Sequence, residues 1–334
     1  MTALGGKPTG PERVCAVRVE AGQAGGTVLD FVAGRFTYLT REQWQQELVD
    51  GRLRVNGEPV PPERLLAAAD RVSYRGRELA EPPVASHFSV VYEDDDLLVV
   101  NKPAPLPCHP GGRYFRHTLW RLLQERCGVP KPLLVNRLDR ETSGLVVVAK
   151  KRAAARDCAR QWQEQQVEKR YLVLVEGEFP LGAQAVAGFL APDPASLVRK
   201  KSRFFPADQA APAGAVSCAT AFRLLALQGG ISLLEARPLT GRCHQIRATL
   251  CSLGFPVVGD KIYGLDEELF LRFLADRLSS DDRRRLRLPR QALHSAGLKM
   301  RHPADHRPLE FTCPLPPEMA GLLPQALPVG AMES

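Results

Sequence analysis

The chain has 334 residues, 44% hydrophobic and 25% charged, which is enough apolar material for one or two buried cores and excludes a disordered polypeptide. No apolar stretch approaches the roughly 18 residues of a membrane-spanning helix. The start Met1-Thr2-Ala3-Leu4-Gly5-Gly6-Lys7 lacks the basic-then-apolar layout of a secretory signal, so a cytoplasmic protein without membrane contact is expected. Lys and Arg number 45 against 37 Asp and Glu, a net +8 of which residues 1–80 carry +1 and the remainder +7; such a balance favours a polyanionic partner.

Residues 1–26 are rich in Gly, Ala and Pro and read as a tail with one short strand at Val14–Val19. A compact unit follows over 27–80. Leu29, Phe31 and Val32, then Trp44, Leu48 and Val49, recur at helical spacing, and Leu53 to Val60 reads as strand, Asn56-Gly57 turn, strand. Glu81-Pro82-Pro83 forms an extended linker. A second domain over 85–320 opens with a hairpin, Phe88–Tyr92 and Leu97–Asn101, around the acidic turn Glu93 to Asp96.

Helices are predicted at Thr118–Arg126, Ala153–Glu168, Arg242–Leu253 (capped by Thr240, stopped by Gly254) and Glu267–Leu278. Strands are predicted at Leu145–Ala149, Tyr171–Glu176, Cys218–Leu227, Ile231–Arg237, Ala292–Lys299 and Leu309–Thr312. This mixed order argues an α+β fold: a largely antiparallel mixed sheet flanked by helices and loops, preceded by a small α/β module and followed by a tail over 321–334.

Eight cysteines lie far apart, at 15, 108, 127, 158, 218, 243, 251 and 313, without a Cys-x-x-Cys pair, so neither a zinc module nor a disulfide framework is expected. Phosphate-binding, dinucleotide, zinc-hydrolase and serine-esterase motifs do not occur. Three polar clusters at the ends of apolar strands remain. In Arg137-Leu138-Asp139-Arg140-Glu141-Thr142-Ser143-Gly144, two flanking arginines keep Asp139 ionised, as a nucleophile or base requires; the same residue can also merely shape its turn through Thr142 and Ser143. In Leu239-Thr240-Gly241-Arg242-Cys243-His244-Gln245-Ile246-Arg247, Arg242 offers a two-pronged partner for a carboxylate or phosphate, or is a surface arginine. His244 reads as a pH-dependent or a structural histidine. In Lys169-Arg170-Tyr171 the tyrosine can stack on a base or sit at a core edge. The runs Arg199 to Arg203 and Arg283 to Arg290 suit phosphate contacts or are solvated faces.

In this order the three clusters resemble the signature motifs of the RNA pseudouridine synthases of the RluA type. Asp95 to Pro103, Gly259 to Gly264 and Leu293-His294-Ser295-Ala296 extend the likeness over residues 85–315. Residues 27–75 resemble the small RNA-binding module of ribosomal-protein S-four type. The resemblance implies Asp139 as catalytic aspartate, Tyr171 as the tyrosine that packs on the base and Arg242 as the group holding the Asp139 carboxylate. Arg137 would fill the gap of a flipped nucleotide, and Arg140, Thr142, Lys169, Gln245, Ile246, Arg247 and His294 would contact the substrate. Asn136 departs from the family's usual histidine and puts the packing of that loop in question. The implied protein is a monomeric isomerase acting on ribosomal or transfer RNA, with no cofactor and no metal. A non-catalytic RNA-binding or ribosome-assembly factor is the alternative, and it would have no use for the three clusters together.

Overall fold

The computed structural model describes residues 14–36, 39–75, 81–180 and 182–323. These fall into two compact units, one within Met1–Pro82 together with Pro110–Arg116, the other within Pro83–His109 and His117–Ser334. The segment Pro110–Arg116 groups with the first unit because both carboxylate oxygens of Glu81 accept from it, from Phe115 N at 2.9 Å and Arg116 N at 2.7 Å.

In the first unit β1 (Val14–Arg18), expected within the tail as a short strand, pairs with β4 (Arg71–Arg75). Between them run α1 (Val28–Arg35), α2 (Arg41–Val49) and the hairpin β2 (Leu53–Val55) and β3 (Glu58–Pro59), giving the antiparallel order β1-β4-β2-β3. The hairpin turns through Asn56 and Gly57, both at positive φ, the backbone that an Asn-Gly pair adopts most readily. Trp44 is fully buried and meets Tyr74 edge-on at 5.0 Å, in a core with Val28, Val32, Leu48 and Leu53.

The second unit begins with β5 (Ser89–Glu93) and β6 (Leu97–Lys102), the expected hairpin, although β5 is a largely exposed edge strand. Then follow α3 (Leu119–Cys127), β7 (Leu133–Leu134), β8 (Ser143–Ala149), α4 (Arg152–Gln163) and β9 (Glu168–Glu176). The chain continues through β10 (Ala183–Pro192), β11 (Ser202–Pro206), β12 (Val216–Gln228), β13 (Ile231–Pro238) and α5 (Gln245–Ser252). It ends with α6 (Glu268–Leu274), α7 (Ser280–Leu286), β14 (Leu293–Arg301), β15 (Pro308–Thr312) and α8 (Pro317–Ala320).

Nine strands line up as β11-β10-β12-β13-β9-β14-β8-β6-β5, with β15 on β14 and β7 on β8, and every pairing is antiparallel except β14 with β8. The α+β architecture read from the sequence is the one observed. Strand β8 is buried along its whole length because both faces are covered. Leu145, Val147 and Ala149 enter one core with Ala154 and Cys158 of α4, while Val146 and Val148 enter another with Leu119, Leu122 and Leu123 of α3. At its start Gly144 adopts φ +113°, and a Cβ there would stand 2.2 Å from Ser295 O, so only glycine lets β14 close on β8 where the Asp139 loop ends.

Several boundaries shift: β9 begins at Glu168, three residues before the expected Tyr171, and α6 ends at Leu274, short of the expected Leu278. Helix α4 ends at Gln163, short of the expected Glu168, because Gln165 turns to φ +56° and the chain enters β9 at Glu168. Helix α5 starts at Gln245, not Arg242, because His244 at the N-cap takes the left-handed conformation (φ +57°) and Thr240 spends its hydroxyl on the Gln245 side chain instead of capping.

Candidate active site

Asp139 sits on the loop before β8, and three sets of bonds fix that loop. Leu106 N donates to Arg140 O at 2.8 Å. Cys108 Sγ lies 3.4 Å from both Leu138 N and Leu138 O. Asn136 donates from Nδ2 to Leu145 O (3.2 Å) and accepts from Val147 N at Oδ1 (2.8 Å). An amide thus serves where the resembled family has an imidazole, clamping the loop to β8 from both sides. Beneath it lies Lys102, fully buried, whose ammonium donates to Leu106 O at 2.8 Å and Pro103 O at 2.9 Å. Burial pulls its pKa down to about 8, against the opposing pull of Cys108 and Asp139.

The group that holds the Asp139 carboxylate is Arg247, not Arg242. Arg247 Nη1 donates to Asp139 Oδ2 at 2.8 Å, while Nε and Nη2 grip Asp260 Oδ2 and Oδ1 at 2.6 and 2.8 Å. Arg242 is exposed and donates to Ser217 O at 3.2 Å. The three-residue shift in the start of α5 leaves Arg242 in the preceding turn and puts Arg247 on the helix face turned inward. Asp260, fully buried, also accepts from Ile262 N and Tyr263 N, so the carboxylate that anchors the arginine is itself fixed. Burial works against the charge of Asp139, but Arg247 and His244 outweigh it and hold its carboxyl below the ordinary range.

Gln291 completes the setting, donating to Thr142 Oγ1 at 2.6 Å and Asp139 Oδ2 at 3.3 Å. Oδ2 therefore carries the fixed bonds, and Oδ1 faces His244 Nε2 at 3.8 Å, with the Asp139 side chain 32% exposed. The other ring nitrogen of His244, Nδ1, lies 3.0 Å from Tyr263 Oη; burial, then Arg247, pushes this imidazole down to about 4. Tyr171 packs at the junction of two cores, and burial pushes its phenol up to about 12, with Asp139 adding to the rise.

The other expected contact residues divide. Arg137 is exposed beside Asp139, and Arg140 is half-buried, its guanidinium 2.6 Å from Glu141 and 5.1 Å from the Phe273 ring centre. Lys169 reaches Leu239 O at 3.3 Å, tying β9 to the loop before α5. Four act from inside the protein. Thr142 receives Gln291, as above. Gln245 accepts from Thr240 Oγ1 and Arg242 N and donates to Ala219 O and Thr220 Oγ1. Ile246 is in the core, and His294, pushed to about 4 by burial and Arg290, joins Ser143 Oγ (2.9 Å) and Cys313 Sγ (3.1 Å). The basic run at Arg283 to Arg290 is largely ion-paired: Arg284 with Asp281, Arg287 with Glu176, and Arg290, buried, with Glu318. Asp260 and Tyr263 lie in the stretch Gly259 to Gly264 that carried the resemblance but were given no site role, and Gln291, between Arg290 and Ala292, was not singled out from the sequence.

Residues 96–252 match the family model described as RNA pseudouridylate synthase. Over 316 residues the chain is 30% identical to ribosomal large subunit pseudouridine synthase C of Vibrio vulnificus, covering 91% of this chain and 93% of that protein. It belongs to the RNA pseudouridine synthases of the RluA type. Other relatives of this family are ribosomal large subunit pseudouridine synthase D of Nitrosomonas europaea (35% over 248 residues, 71% of this chain) and the mitochondrial tRNA pseudouridine(32) synthase of Saccharomyces cerevisiae (33% over 242 residues, 72% of this chain). The chain spans 64% and 51% of their lengths. The structure titled human RNA pseudouridylate synthase domain containing 1 superimposes with a TM-score of 0.54 at 27% identity, over 70% of this chain and 86% of that one. The chain has the pseudouridine synthase fold. Among the described residues no helix is long and apolar enough to cross a membrane.

Proposed function

We propose that this chain isomerises specific uridines to pseudouridine in structured RNA, ribosomal or transfer, with Asp139 as the catalytic group. The observation that carries this reading is the division of labour at the Asp139 carboxylate: Oδ2 is held by buried Arg247, and Oδ1 is left for chemistry. An ionised, oriented carboxylate is what the reaction needs, whether it attacks the sugar, adds to the base or removes a ribose proton.

In the isomerisation the N1–C1′ bond breaks, C5 bonds to C1′, the C5 proton leaves and N1 regains one. Atoms and electrons balance without an oxidant, a reductant or a second substrate. The target base must leave its stack, and its unstacking is offset by packing on Tyr171 and by phosphate contacts, with Arg137 entering the vacated space. Arg242, exposed beside the site, is suited to the RNA backbone. The +7 outside residues 1–80 supplies the long-range attraction. The first unit fits a small RNA-binding module: exposed Arg35 lies 5.9 and 6.0 Å from the ring centres of Phe31 and Phe36, which pack on the core, and its charge suits an RNA phosphate.

The test is to map pseudouridine in ribosomal and transfer RNA from a strain lacking this gene, after restoring wild-type or Asp139→Asn protein. A uridine modified by the wild type alone names the substrate. No altered site in either pool favours the non-catalytic RNA-binding factor.

A further inference from the structure

Two more metal-ligating side chains stand beside the Asp139 oxygen that Arg247 leaves unused. We propose that Asp139, Cys243 and His244 form a site for a borderline-soft divalent cation, zinc above all, whose binding closes the active site. One donor atom from each residue lies within 4.8 Å of the others. A tetrahedral zinc with bonds of about 2.0–2.3 Å sets its donors roughly 3.3–3.8 Å apart. For the nitrogen and oxygen donors that spacing is roughly 3.3–3.5 Å, and His244 Nε2 and Asp139 Oδ1, at 3.8 Å, stand a few tenths of an ångström outside it. Cys243 is exposed, and its donor atom lies within the same 4.8 Å.

The orientation of His244 supports the assignment. Its Nδ1 is held by Tyr263 Oη at 3.0 Å, and that hydroxyl also accepts from Ser202 N at 2.8 Å. With Nδ1 paired to Tyr263, Nε2 is the nitrogen that faces Asp139, and the tautomer protonated at Nδ1 offers its lone pair there. A ligating histidine generally carries such a partner on its other nitrogen. The mixed oxygen, nitrogen and sulfur set suits zinc over magnesium or calcium. On binding, the Cys243 S–H bond breaks, the proton passes to solvent, the thiolate takes the metal and water fills the fourth position; nothing is oxidised or reduced. Arg247 does not veto the cation, because its single charge is shared between the two carboxylates of Asp139 and Asp260.

Binding itself does not depend on the catalytic reading of Asp139; the loss of activity does. The experiment uses the full chain with zinc chloride alone, its affinity read by competition with a chromophoric chelator, and alkylation by iodoacetamide followed at each cysteine by mass spectrometry. Zinc is expected to slow labelling of Cys243 about tenfold or more while leaving Cys15, exposed in the other unit, unchanged. Cys243→Ser and Asp139→Asn are each expected to weaken zinc binding by about tenfold or more. Zinc should stop pseudouridine formation by the wild type at concentrations that spare Cys243→Ser. Equal labelling of Cys243 with and without zinc, or unchanged affinity in Cys243→Ser, would overturn the site. Protection of Cys243 in a chain that makes no pseudouridine would uphold the site and overturn the catalytic reading.

Discussion

Arg247 joins Asp139 and Asp260 through one buried guanidinium, giving Nη1 to the first at 2.8 Å and the Nε/Nη2 fork to the second at 2.6 and 2.8 Å. The arginine is thereby both the counter-charge of the reactive carboxylate and the link between the loop before β8 and the turn that follows α5. Arg247→Met leaves two carboxylates without their cation, one of them fully buried, and should destabilise the fold by about 3–5 kcal/mol. Arg247→Lys keeps the charge but cannot serve both acids with one ammonium. It should retain the fold better and still lose about 10²-fold in turnover through misplacement of Asp139. Denaturant unfolding with single-turnover pseudouridine formation separates the two effects; full activity in Arg247→Lys would refute the positioning role.

Arg242 makes the opposite case. It is exposed, and its guanidinium bonds a carbonyl, not Asp139. Arg242→Ala should change stability by no more than about 0.5 kcal/mol. RNA affinity should weaken more than the rate of the bound complex, as binding isotherms beside single-turnover rates would show.

This exchange of arginines marks where the sequence stopped being legible. Asp139 stood out because charged residues interrupt two apolar runs, and β8 because Leu145 to Val148 have no polar position. Which arginine reaches Asp139 depended on where α5 begins, and that is set by the left-handed backbone of His244, which no periodicity reveals. Strand β10 escaped notice for a different reason. Its Ala183-Gln184-Ala185-Val186-Ala187-Gly188 has low strand propensity and becomes a strand through pairing with β12 and β11. The close approach at Gly188, where a Cβ would stand 2.2 Å from Phe205 O, explains its small residues only once the neighbour is in place.

Buried histidines should set the acid limit of the fold. Burial lowers both His294 and His244 from 6.5 to about 4. In that interval the unfolded chain binds protons that the folded chain does not, so the stability present above 6.5 is lost as pH falls toward 4. Denaturation midpoints should decline across this window, and His294→Asn, which keeps a polar partner for Ser143, should flatten part of the slope. A wild-type midpoint that stays level from 6.5 to about 4 would contradict the account.

Asn136 ties the Asp139 loop to β8 through one donor and one acceptor. Asn136→Ala strands Val147 N inside the protein and should cost about 1–3 kcal/mol. Turnover should fall further than RNA affinity, because the loop it releases carries Asp139. Equal losses in both would assign Asn136 to binding instead.

The most direct measurement takes purified wild-type and Asp139→Asn protein, incubates each with ribosomal and transfer RNA lacking the modification, and determines pseudouridine by mass spectrometry alongside RNA affinity. The account predicts new pseudouridine from the wild type and none from Asp139→Asn, with affinity preserved in the variant. Pseudouridine formed at the wild-type rate by Asp139→Asn would contradict it.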